Sequence, residues 1–143
     1  MIPVVYVSKP AAALLALTLA LAVPATASAS PTTSPSSHAG SVNVHGWWLD
    51  DHDNFTGMKA RVTVYLWAKK GSQWVQVNKI PTKKNPVTVY AGGGGGKRAS
   101  GSVSCRSHKP TWYHGQVDVD IIDAIDTSNR PNSHDVELNC QPW

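Results

Sequence analysis

The side chains able to do chemistry are few: six histidines, nine carboxylates of which only Glu137 is a glutamate, and two cysteines, Cys105 and Cys140. None falls into the spacing that a familiar reaction requires. There is no Gly-x-Ser-x-Gly elbow to strain and expose a nucleophilic serine, and no His-Glu-x-x-His pair to hold zinc on a helix. The glycine run at 92–96 resembles a phosphate cradle only in composition. Gly96-Lys97 is followed by Arg98 where a Walker loop needs Ser or Thr, and the position five before Gly96 is Ala91. Dinucleotide spacing fails as well, because the sixth position counted from Gly92 is Lys97. Five glycines in a row are therefore expected to form a mobile loop.

Asp50-Asp51-His52-Asp53-Asn54 gathers the oxygen donors that calcium takes, but Gly57 does not stand at the sixth place and no glutamate closes the loop. Asp118 and Asp120 share one strand face and repel each other unless Lys59 and Arg61 lie opposite. No catalytic residue, cofactor site or metal site is assigned, and the chain is expected not to be an enzyme. With 13 Lys+Arg against 9 Asp+Glu the formal charge is +4. The basic pairs Lys69-Lys70, Lys83-Lys84 and Lys97-Arg98 sit in turns without interleaved aromatics, so no nucleic-acid partner is expected.

Aromatic placement is more informative. Tyr65 and Trp67 lie on the Lys/Arg parity of their strand, opposite an apolar stripe, and Trp47 lies opposite Val42 and Val44. Tryptophan and tyrosine left on a strand's outer face anchor interfaces. The residues expected to contact a partner are Val42, Val44, Trp47, Trp48, Tyr65 and Trp67. Aromatics on a β-sandwich also bind sugars, which makes carbohydrate a second partner class.

These residues need elements to hold them. Residues 1–29 read as a signal peptide: Lys9 supplies the positive start, residues 11–23 are an apolar run, and Ala25-Thr26-Ala27 and Ala27-Ser28-Ala29 are small-x-small cleavage sites. The expected location is thus secreted and extracellular, with no membrane contact after cleavage and with Cys105 and Cys140 bridged. Residues 30–40 (SPTTSPSSHAG) form a flexible Ser/Thr/Pro leader, expected to stay disordered until the adjoining 41–49 segment engages a partner. From Ser41 to Trp143 the hydrophobic period is two. Val42–Leu49 is a first strand; Met58, Ala60, Val62, Val64, Leu66 and Ala68 make the clearest inward stripe; Val75 and Val77 face in after a Lys69–Ser72 turn. Short strands follow at 87–90, 99–105, 112–123 and 135–140. The fold class is all-β, a single antiparallel sandwich or open barrel of six to seven strands with one disulfide. Trp112, between the cysteines, resembles the tryptophan of an immunoglobulin core.

The Trp-bearing hairpin Gly71-Ser72-Gln73-Trp74, the glycine loop running into Arg98, Val103-Ser104-Cys105, Trp112 with Asp118-Val119-Asp120, and the terminal Asn139-Cys140 together resemble small secreted β-domain proteins of actinobacteria. Among these, the layout is similar to the adaptor subunit of secreted umbrella toxin particles. That resemblance implies a protein-binding module whose N-terminal arm enters a cleft of a lectin-bearing subunit while the β domain holds the toxin subunit. No binding residue carries over from it. The expected function is a secreted, non-enzymatic protein-binding module, an adaptor in an extracellular antibacterial toxin complex with other secreted proteins as partners. The alternatives are a carbohydrate- or cell-wall-binding domain and a secreted protease inhibitor that inserts the leader or the glycine loop.

Overall fold

A computed structural model describes residues 40–50, 53–92, 94–125 and 130–143, together with the backbone of 26–34. The expected signal segment lies outside the described residues up to residue 25, as does the leader at 35–39. Among the described residues eight strands form two antiparallel sheets: β1 (Thr26–Ser34), β2 (Ser41–Leu49), β3 (Lys59–Lys70), β4 (Gln73–Gln76), β5 (Val87–Tyr90), β6 (Ala99–Ser104), β7 (Ser107–Ile121) and β8 (Val136–Gln141). Seven of them lie within the Ser41–Trp143 domain, as the period-two pattern predicts. The smaller sheet has the order β1-β2-β6, and the larger has β4-β3-β7-β8 with β5 also on β3. The sheets stack as an open sandwich and do not close into a barrel.

β1 is the departure from expectation. Thr26–Ser34 pairs with β2 along its full length, Thr26 opposite Leu49 and Ser34 opposite Ser41, where the sequence suggests a signal end and a loose leader. β2 is hydrogen-bonded to β6 on one side only, and an open edge accepts any extended segment beside it. A Ser/Thr/Ala/Pro stretch leans toward extended backbone, and Pro31, opposite Val44, withholds only one donor from the ladder.

The core lies between the sheets. The stripe of β3 from Ala60 to Ala68 meets Val42, Val44 and Trp48 of β2 and Tyr113, Val117, Val119 and Ile121 of β7, all buried. Gly46 sits where β2 crosses nearest the larger sheet, and a Cβ there would run into Val117 and Val64. Trp48 is fully buried and its indole N–H donates to the Val89 carbonyl at 3.0 Å. Trp112, by contrast, is 43% exposed, so the immunoglobulin-like expectation fails: alternation on β7 turns Tyr113 inward and Trp112 outward. Val75 shares the inward face with its partner Ala68, but at the sheet's edge it remains 37% exposed. The Cys105–Cys140 bridge is formed as expected, closing a separation of 35 residues, worth about 4 kcal/mol in the chain-entropy account. Tyr113 Oη donates to the Cys140 carbonyl at 2.7 Å beside it.

One edge of β3 carries an unusual joint. β4 pairs with its C-terminal end and β5 with its N-terminal end, leaving the backbone of Val64 and Leu66 without a strand. Two buried side-chain amides fill the gap. Asn85 accepts from Val64 N–H at 3.0 Å and donates to the Val64 carbonyl. Asn78 accepts from Leu66 N–H at 2.8 Å and donates to the Val64 carbonyl at 3.0 Å, while Val77 N–H takes the Leu66 carbonyl. β4 and β5 thus act as one interrupted strand, and the chain between them is extruded as a loop at 79–84.

Two outcomes follow. Asn85→Ala strands the Val64 amide in the core, and a buried polar group without its partner costs about 1–3 kcal/mol; urea denaturation should show a loss of that size, while the exposed Asn139→Ala changes stability by less than about 0.5 kcal/mol. Burial pushes the Tyr113 phenol up to about 12 from 10.0. Absorbance titration should therefore show one late-ionising tyrosine that Tyr113→Phe abolishes. Because an unfolded phenol ionises first, this group's contribution to stability is full below pH 10 and is lost as pH rises toward 12.

Candidate functional site

The outer face of the larger sheet is built by the odd residues of β3 and the even residues of β7. Register places Tyr65 opposite Gln116, Trp67 opposite His114, Thr63 opposite Asp118 and Arg61 opposite Asp120. The β3–β4 hairpin adds Trp74 beside Lys69. Its turn depends on Gly71, whose φ of 63° is the conformation a two-residue hairpin loop asks of that position.

β4 and β7 flank β3 on opposite sides, yet the rings of Trp74 and His114 meet over it, with centroids 4.2 Å apart and planes tilted by 48°. Trp67 lies 6.4 Å from His114 and 6.5 Å from Tyr65, again tilted. The four rings form a continuous, half-buried, corrugated patch. Its Trp67 indole nitrogen is buried and has no hydrogen-bond partner, unlike any other side-chain polar atom of comparable burial among the described residues.

The segment 130–135 frames this patch along the free edge of β7. Val117 N–H bonds to the Pro131 carbonyl and Ser133 N–H to the Gly115 carbonyl, so the segment continues the sheet beyond β8. Its side chains then hold the patch residues in turn. Arg130 pairs with Asp118 at 3.0 Å and stands 6.0 Å from the Tyr65 ring centroid. Asn132 accepts from the Gln116 amide at 2.9 Å, and Asp135 meets His114 Nδ1 at 3.1 Å. Of the two basic residues expected opposite the paired aspartates, Arg61 stands opposite Asp120 in register. Asp118 turns to Arg130 instead, and Lys59 lies over Tyr90 at 4.9 Å.

Of the six residues expected to contact a partner, three are in the core. Val42, Val44 and Trp48 are 0% exposed, because their parity on β2 points between the sheets and a second sheet covers them. They are unavailable to a partner. Trp47 is half-buried on the outer side of the smaller sheet, across the sandwich from Tyr65 and Trp67, so it cannot belong to their patch. Tyr65 and Trp67 stand on the outer face as expected. Trp74 and His114 were not among the expected residues, though their signals are present: Trp74 alternates with inward Val75, and His114 shares the parity of Asp118 and Asp120.

Other candidate sites resolve into structural roles. Asp50 accepts from the backbone N–H groups of Asn54 and Phe55, which commits its carboxylate to closing the loop; Asp51 and His52 lie outside the described residues. Among the described residues no group of three or more His, Cys, Asp or Glu side chains is placed to hold a metal ion. The glycine loop is tied at its base, where Gly92 N–H bonds to the Trp48 carbonyl and Lys97 Nζ to the Ala91 carbonyl at 3.3 Å. No family model, curated protein or solved structure matches the chain.

The two buried indoles provide a direct comparison. Trp48→Phe removes a donor from the Val89 carbonyl, whereas Trp67→Phe removes a donor that has no acceptor. In urea denaturation Trp67→Phe should be the milder change by about 1–2 kcal/mol. Equal losses would mean that the Trp67 indole is hydrogen-bonded in solution.

Proposed function

We propose that this protein is a non-enzymatic protein-binding module acting outside the cell, and that the Tyr65–Trp67–Trp74–His114 face is its binding surface. The observation that carries the reading is the tilt of those rings. A sugar chain stacks best on exposed, nearly coplanar aromatics, whereas rings tilted by 33° to 48° leave clefts that suit protruding side chains of a protein partner. The polar rim of Arg130, Asn132 and Asp135 has the composition of an interface edge. A buried disulfide fits an oxidising compartment, and among the described residues no helix is long and apolar enough to cross a membrane.

The resemblance to toxin-particle adaptors adds a finer reading, in which the aromatic face holds one large secreted subunit of an antibacterial complex.

The test is affinity capture from culture supernatant with the parent protein and with Trp74→Ala, whose fold is checked by circular dichroism. A stoichiometric partner should be retained by the parent and lose about tenfold or more in affinity with Trp74→Ala, since central aromatic anchors contribute about 2 kcal/mol or more. Unchanged capture by the variant would move the interface elsewhere. Binding confined to a glycan array would establish the carbohydrate reading instead, and dose-dependent inhibition across a protease panel would establish the inhibitor reading.

A further inference from the structure

The opposite side of the sandwich carries a groove of different chemistry, with a volume of about 700 Å³. One wall is the outer face of β2 and β6, where Asn43 stands opposite Ser102 and His45 opposite Ser100. The other wall is the extruded 79–84 loop, contributing Lys79, Lys83 and Lys84. Hydroxyls of Ser100, Ser102 and Ser104 recur at every second residue along the floor. Among the described residues no carboxylate and no aromatic ring other than His45 lines it.

The lysine wall is fixed in place. Asn78 and Asn85 anchor the two ends of the loop in the core, Thr82 and Asn85 bond to each other's backbone across its tip, and the Lys84 carbonyl accepts from Ser100 N–H at 2.9 Å. Gly101 lets the loop approach this closely, since a Cβ there would stand 2.5 Å from the Asn78 amide nitrogen. Neither of the ion pairs among the described residues involves these lysines. His45, with Nδ1 at 3.1 Å from Ser100 Oγ, registers the resulting field: burial, then Arg98, then Lys84 hold it below the ordinary histidine range of 6.5.

We propose that this groove binds a phosphodiester-linked chain without nucleobases. Ammonium groups are point charges that suit phosphoryl oxygens, and the row of serine hydroxyls lies beside them. The lack of stacking surface argues against nucleic acid, which relies on aromatic platforms as well as charge. A groove whose hydroxyls repeat over Ser100, Ser102 and Ser104 fits a polymer better than a single small anion. An anion seated beside His45 favours its protonated form, so binding raises the His45 pKa and strengthens as pH falls through it; the charged groups at this end of the groove are Lys79, Lys83, Lys84 and Arg98.

The probe is a synthetic oligo(glycerol phosphate), titrated into the full protein at constant ionic strength and followed by heteronuclear NMR and calorimetry. The expected result is saturable binding that shifts Ser100, Ser102 and His45 resonances and moves the His45 titration upward. A Lys83→Gln/Lys84→Gln double variant should weaken it about tenfold or more, and Lys69→Gln/Lys70→Gln on the distant hairpin should not. The proposal is overturned by absence of saturable binding, by an unmoved His45, or by equal affinity for oligothymidylate or polyglutamate of the same charge. The aromatic-face variant Trp74→Ala serves as a further control: it should leave this binding intact, so the two surfaces fail or succeed independently.

Discussion

The architecture depends on how one strand edge is satisfied. β3 is the spine of the larger sheet, and its backbone at Val64 and Leu66 lies in the core, where an unpaired amide or carbonyl is costly. A continuous partner strand would be the ordinary answer. Here Asn78 and Asn85 supply amide groups that imitate a strand's donors and acceptors. Because the pairing is done by side chains, the main chain between them is released from the sheet and can project as the 79–84 loop. The same joint that completes the core therefore builds one wall of the basic groove.

Alternation does the rest. The stripe from Ala60 to Ala68 turns inward, which obliges Tyr65 and Trp67 to face out, and the register with β7 brings His114 beside Trp67. On β2 the same rule buries Val42, Val44 and Trp48 and presents Asn43 and His45 outward. The four-ring cluster thus lies on the outer face of the larger sheet, and the hydroxylated, cationic groove on that of the smaller, where Trp47 also faces out. The chemistry of each is set by a parity choice made on a different strand.

Much of this could be read from residue order. The inward stripe of β3, the hairpin at Gly71 and the strand at 87–90 follow from period-two patterning and turn chemistry, and the Cys105–Cys140 pairing from an expected exported chain with two cysteines. Three things could not be read there. Parity says that Trp48 and Trp67 face opposite ways, but not which face a second sheet will cover; this is why Val42, Val44 and Trp48 look like anchors in a list and are core in space. The register that joins Trp74 to His114 across β3 depends on two separate strand pairings. The asparagines carry no local signal either, since Asn78 and Asn85 look like turn residues beside Pro81 and Pro86 and reveal their role only when Val64 is seen to lack a partner strand.

The Asn joint also bears on chemical ageing. Asparagine degrades when the following backbone nitrogen attacks its side-chain carbonyl, and the aspartate left behind would set an anionic oxygen against the Val64 carbonyl. Asn85 is followed by Pro86, whose nitrogen carries no hydrogen, so the usual cyclisation is closed at that position by covalent structure alone. Asn78 is followed by Lys79, which has the required nitrogen, but its amide cannot turn toward it without releasing both Leu66 and Val64. One half of the joint is protected by sequence and the other by its hydrogen bonds. The durability of the sheet over long periods therefore rests on how rarely Asn78 lets go.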